Sequence, residues 1–361
     1  MKTKAITKLS RKEFLRLGGL GLSALALRSW KDKGFLLSPA EDVPPTERLG
    51  RVVAPLATVR ARPTVDSPEI TKLTEDAVVP WLSESVGFTP YRNQRWVETP
   101  AGYIWSPFLQ PVKNIMNAPL DTLPDYGAGP GMWMEVTIPY VEAELANPVP
   151  QGFRIKYLVE NQMPIRFYFS QIFWVDEISA DGQAIRYHVR ELYGSRGDHF
   201  WAPAEAFRPI FLEDASLIST GTEDKQIVVN IARQTLSCYE SGREVYFCRV
   251  SPGRLDAESQ TPIGDTFQVF MKYFSTHMEG GSTGAGYDLS GIGWVSFFAA
   301  GGIAVHATYW HNNFGERTSA GCVNARPEDA RFVYLWSAPG VPYDPGSLDQ
   351  ASGTQVRVVE S

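Results

Sequence analysis

Gly302-Ile-Ala-Val-His306-Ala-Thr-Tyr-Trp-His311-Asn-Asn-Phe-Gly315-Glu-Arg-Thr-Ser319-Ala-Gly321-Cys322-Val-Asn324 holds two of the chain's five histidines and one of its three cysteines. The apolar run Gly302 to Val305 is β-prone and delivers His306 at a strand end. Gly315 and the polar Asn312, Asn313, Thr318 and Ser319 then read as a loop that returns the chain to Cys322. A thiol attacks a carbonyl as thiolate, and a free cysteine has a pKa near ~8.5, so it needs a base or a positive charge beside it. Imidazole, titrating near ~6.5, is the usual base. Gly321, directly before the sulfur, lets backbone approach a substrate and can aim N–H groups at a developing oxyanion. On spacing alone, a buried structural cysteine beside an unrelated histidine remains an equal reading.

A family pattern separates the two readings. Val305-His-Ala-Thr308 followed by Ser319-Ala-Gly-Cys-Val-Asn324 resembles the active-site signature of the L,D-transpeptidases, cysteine enzymes that cross-link bacterial peptidoglycan. Their pattern is Ile/Val-His-Gly-Thr, a loop, then Ser-x-Gly-Cys-Ile/Val-Arg/Asn. Two departures stand out: Ala307 replaces the usual Gly, and Ala320 sits where many members carry His or Lys. Neither removes the nucleophile or the base. A second element, Ser251-Pro-Gly253 leading to Thr261-Pro-Ile-Gly264-Asp-Thr-Phe267, is similar to another run of the family. The resemblance covers residues 225 to 359.

The resemblance implies a thiol acyltransferase with Cys322 as nucleophile and His306 as general acid/base. Backbone N–H groups near Gly321 and Cys322 would hold the oxyanion, while Ser319 and Asn324 fix the turn. His311, Tyr309 and Thr308 would be substrate contacts, with a structural role open for His311. Donor and acceptor stem peptides would be the partners, and no metal or organic cofactor is implied. Two further outcomes stay open: resolution of the thioester by water or by a protein amine, and a dead domain on a wall-binding protein.

Composition is ordinary for a folded soluble protein, and the short β-prone runs along the chain predict a mainly β fold. Net charge is −6 over 361 residues, which argues against a nucleic-acid partner. Residues 1–30 read as an export signal, with Lys2, Lys4, Lys8, Arg11 and Lys12 ahead of an apolar core from Leu17 to Leu27. Ser10-Arg-Lys-Glu-Phe-Leu15 resembles a twin-arginine signal with Lys12 for the second arginine, so the general secretion route stays open. No other stretch is long and apolar enough to span a bilayer. The protein would therefore work outside the cytoplasm, at the cell wall, tethered if the signal is retained.

Residues 31–48 read as a linker. Residues 49–113 carry short punctuated strands that predict a small barrel. Ala57-Thr-Val-Arg-Ala-Arg-Pro63 and Trp96-Val-Glu-Thr-Pro-Ala-Gly-Tyr-Ile104 there resemble bacterial SH3-like domains. Residues 130–212 form a β-rich accessory region. Within it Phe200-Trp-Ala-Pro203 echoes Ile104-Trp-Ser-Pro107, a hint of a second SH3-like unit. Residues 225–360 predict a β-sandwich-like catalytic domain with a short helix from Arg326 to Trp336. Three further expectations can be checked: Met271 to Gly293 is a mobile glycine-rich loop with His277 partnerless upon it; His188 and His199 are structural or surface groups with no carboxylate at ligand spacing; and Cys238 and Cys248 are either two buried small apolar residues or a disulfide.

Overall fold

The computed structural model describes residues 47 to 360 apart from 128, 181–183, 194–196, 223, 257–258, 281–286 and 350–351. The expected export signal and nearly all of the linker lie outside them. The protein is mainly β, with two α-helices among the described residues.

From Leu49 to Val112, eight strands make a three-stranded and a five-stranded sheet. Leu56–Arg60 shows why: Ala57 and Val59 alternate inward, as a two-residue period demands, onto Val52, Trp81, Val97 and Ile104. From Met132 to Pro209 a single seven-stranded antiparallel sheet forms instead, with the helix Phe153–Glu160 set against it. The sequence echo is real at one level. Gly102–Trp105, a 3-10 turn at Ser106–Phe108 and Leu109–Val112 repeat as His199–Pro203, Ala204–Ala206 and Phe207–Pro209. A proline stands at the strand-to-turn junction in both, where its fixed φ and missing N–H end a ladder.

The C-terminal part is two five-stranded sheets sharing one core. Lys225–Asn230 lies between Thr235–Glu240 and, in parallel, Gln355–Val359. In the other sheet the order runs Val323–Ala325, Ile303–Ala307, Tyr287–Ala299, Met271–Gly280, Ser347–Asp349. Ile227, Val229, Leu236 and Cys238 of the first sheet meet Phe274, Trp294, Val305 and Val323 of the second in one cluster. The helix Pro327–Trp336 closes it with Ala330, Val333 and Trp336. Pro327 opens this helix and Glu328 and Asp329 follow in its first turn, as expected. At the other end Lys272, wholly buried, donates its Nζ to the carbonyls of Tyr334 (2.6 Å), Ser337 (2.7 Å) and Pro339 (2.8 Å).

The expected mobile loop is corrected. Met271–Gly280 and Tyr287–Ala299 are the two longest strands described and pair with each other as a hairpin. Two of its glycines serve close approach, not freedom. A Cβ on Gly291 would stand 2.6 Å from Phe173, and one on Gly293 would stand 2.6 Å from Ile172. The hairpin thus lies against the middle sheet, and Trp133, Ile172 and Trp174 of that sheet join the C-terminal core. Cys238 and Cys248 are free and buried, and burial pushes both thiols up.

Candidate active site

Ile303–Ala307 and Val323–Ala325 pair in parallel, with Val305 opposite Val323 and His306 opposite Asn324. Strand alternation then sorts the side chains. Val305, Ala307, Val323 and Ala325 face the shared core, whereas Ala304 and Cys322 belong to the cluster on the opposite face. His306 and Cys322 therefore share one face of the sheet, on neighbouring strands. The offset of sixteen positions between them in sequence (322 − 306) is closed up by a single strand pairing.

Each group rests on a backbone carbonyl. Cys322 Sγ, partly exposed, donates to Gly302 O at 3.4 Å, and His306 Nδ1 donates to Ala307 O at 2.9 Å. That bond fixes the tautomer, leaving Nε2 as the basic nitrogen. Among the described residues no hydrogen bond joins sulfur to imidazole. Burial raises the thiol to about 11; an amide bond from Ala304 opposes this. Burial also lowers His306 to about 4, against the pull of the Ala307 carbonyl. The resting pair is thus neutral thiol and neutral imidazole. For the sulfur to attack a carbonyl its proton would have to move in the same step, as general-base catalysis provides.

The turn before the sulfur is held from below. Gly321 has φ +124°, and a Cβ there would meet Ile303 Cδ1 at 2.7 Å. Its carbonyl accepts Thr261 Oγ1 at 2.7 Å, and Thr261 in turn accepts the Gly253 amide at 2.8 Å. The two halves of the second sequence element thus converge on the residue preceding Cys322. Ser251 and Asn324 exchange backbone bonds of 2.8 and 3.0 Å. Ser319 Oγ donates to the Cys322 carbonyl and accepts the Gly321 amide at 3.1 Å. The Gly321 amide is thus bonded to Ser319, and Ser319 ties the two ends of this turn together.

Residues 224–358 match the YkuD family, the L,D-transpeptidase catalytic domain. This stretch belongs to that family. An L,D-transpeptidase from Enterococcus faecium is 20% identical over 38% of this chain and 50% of its own, with a TM-score of 0.30. The chain therefore spans half the length of that protein. One from Mycobacterium smegmatis is 18% identical over 51% of this chain and 98% of its own, at 0.30. L,D-transpeptidase 3 from Mycobacterium tuberculosis, in complex with a faropenem-derived adduct, is 22% identical over 46% and 78%, at 0.29. No curated protein matches the chain.

Around the transpeptidase motif, the loop from Tyr309 to Phe314 is gripped by the N-terminal region. Arg95 donates to the carbonyls of Asn312 (3.2 Å) and Phe314 (3.3 Å). Asn93 Nδ2 donates to Asn313 Oδ1 at 2.9 Å, and Asn312 Nδ2 to Ser106 O at 3.3 Å. Arg51, buried and ion-paired with Asp76 at 2.7 Å, donates to Tyr309 O at 2.9 Å. No sequence signal marked these residues, because they lie more than two hundred positions from the loop they hold.

Two expected substrate contacts lie inside the protein. Tyr309 and Thr308 are buried, and the Tyr309 hydroxyl donates to Ser290 O at 3.2 Å. His311 is tied into the frame: Nδ1 accepts the Asn313 amide at 3.1 Å and Nε2 meets Asn324 Nδ2 at 2.9 Å. Burial and the neighbouring His306 push it down to about 3, so it stays neutral. His188 and His199, expected as structural or surface groups, meet each other and one acid. His188 Nδ1 meets Asp176 Oδ1 at 2.6 Å and Nε2 meets His199 Nδ1 at 2.7 Å, the carboxylate coming from the adjacent strand. His277 is not partnerless: it lies 3.1 Å from Glu191 Oε1 and 2.8 Å from Asp288 Oδ1.

Proposed function

We propose that this protein is a peptidoglycan L,D-transpeptidase working outside the cytoplasm at the cell wall, with stem peptides as donor and acceptor. The observation that supports this most is the placement of Cys322 and His306 on one face of a two-strand pair, inside a domain of that family. Cys322 Sγ attacks the donor carbonyl that follows the L-centre of the diamino acid while His306 Nε2 takes the thiol proton. The oxyanion is stabilised by backbone N–H donors, Cys322's own amide being the candidate once Gly321's is committed to Ser319. His306 gives the proton to the departing D-alanine amine, and a thioester remains. An acceptor side-chain amine then attacks the thioester, its proton passes to His306 and on to the sulfur, and the cross-link is released. Ser319 and Asn324 hold the turn; His311 positions Asn324. The Leu49–Val112 region is an SH3-like unit whose contacts steady the catalytic loop.

Purified protein incubated with a disaccharide-tetrapeptide tests the reading. A cross-linked dimer with D-alanine release supports it. D-alanine release without dimer points to an L,D-carboxypeptidase or an anchoring enzyme, and neither product points to a wall-binding protein.

A further inference from the structure

The hairpin that borders the catalytic face carries a second cluster that the reaction does not use. Glu279 and Asp288 are directly opposed across the Met271–Gly280 and Tyr287–Ala299 strands. Opposed residues of an antiparallel pair point to one face, and two carboxylates there repel. His277, two positions before Glu279, shares that face, at a register irregularity between Thr276 and Met278 that re-aims its ring. One ligand atom each from His277, Glu279 and Asp288 lies within 4.8 Å of the others. A fourth acid, the buried Glu191 of the middle region, faces His277 Nδ1 at 3.1 Å.

The ring's other nitrogen also faces an acid. Asp288 Oδ1 stands 2.8 Å from Nε2, yet the buried Nε2 makes no well-directed hydrogen bond. At this distance the ring and the acid form an ion pair when Nε2 carries a proton, and on the neutral ring both can turn to one cation. A carboxylate on the far nitrogen, here Glu191, is how a metal-binding histidine is usually oriented. Charge agrees. Three carboxylates against one imidazolium leave a local charge of −2, and a divalent ion on the neutral ring would leave −1.

We propose that His277, Asp288 and Glu279 bind a divalent first-row cation of the Zn²⁺ type, with Glu191 orienting the imidazole. Mixed imidazole and carboxylate donors suit such an ion. Asp288 Oδ2 also accepts the Arg154 amide of the Phe153–Glu160 helix at 2.9 Å. The ion therefore fastens the catalytic hairpin to the middle region on two sides. A proton competes for Nε2. Burial opposes it, but Asp288 and Glu191 outweigh burial and lift the imidazole to about 10.

The test uses the full chain carrying Cys322→Ala, so that the active-site thiol contributes nothing. After equilibration with Zn²⁺ and desalting, elemental analysis should find one zinc per chain, and Zn²⁺ should raise the Tm. His277→Gln and Asp288→Asn should lose both effects while keeping the parent circular dichroism. Should either variant fail to fold, Glu279→Gln at the exposed edge should still weaken Zn²⁺ binding by about tenfold or more. Zinc absent from the parent, or retained undiminished in the variants, would overturn the proposal and leave a protonated histidine between acids.

Discussion

A neutral resting pair makes Cys322 a slow thiol toward simple electrophiles. With its thiol at about 11, the thiolate fraction at pH 7.5 is about three parts in ten thousand, against about a tenth for a free cysteine near ~8.5. That is a deficit of about 300-fold. A more basic thiolate is intrinsically more nucleophilic, and a Brønsted slope of about 0.45 recovers roughly 13-fold over ~2.5 pKa units. Iodoacetamide should therefore alkylate Cys322 on the order of twenty-fold more slowly than free cysteine at pH 7.5. The sign of the pH dependence follows from the raised thiol: reactivity grows about tenfold per pH unit until the pH nears about 11. His306→Ala should leave this profile unchanged, since the neutral imidazole holds no thiolate at rest. Peptide-resolved mass spectrometry of timed alkylation, pH 6 to 10, reads the rate at Cys322 apart from Cys238 and Cys248. A plateau below pH 7 that disappears in His306→Ala would refute the reasoning, because it would reveal a preformed thiolate–imidazolium pair.

Lys272→Met leaves three buried carbonyls without their donor, and at roughly 1 kcal/mol or more for each it should destabilise the fold by about 3 kcal/mol or more, read as a lower Tm. Arg95→Ala frees the Asn312 and Phe314 carbonyls. It should slow cross-linking severalfold and speed limited proteolysis between 309 and 320, with the Tm of the remainder nearly unchanged. Gly321→Ala forces a Cβ to 2.7 Å from Ile303 at a positive φ; turnover should fall tenfold or more, about 1.4 kcal/mol, with little change in circular dichroism.

What could be read in the sequence was local or periodic. The helix after Cys322 carried its own start signals, with Pro327 followed by Glu328 and Asp329. The strand before His306 carried its apolar run, and the Thr261 element turned out to bond the residue beside the sulfur. Errors came where a partner arrives from another strand or region. Glycines at 291 and 293 looked like freedom but are contact points with Phe173 and Ile172. His277 looked partnerless because Glu191 and Asp288 reach it through space. The grip of Arg51, Asn93 and Arg95 on the catalytic loop left no periodicity or motif to find.

The measurement that bears most directly on Cys322 as nucleophile and His306 as base is intact-protein and peptide mass spectrometry after exposure to a carbapenem. A single acyl adduct should map to Cys322, vanish in Cys322→Ala, and form ~10²–10⁴-fold more slowly in His306→Ala, the usual worth of a general base. An adduct that persists in Cys322→Ala, or an unchanged acylation rate in His306→Ala, would contradict the account.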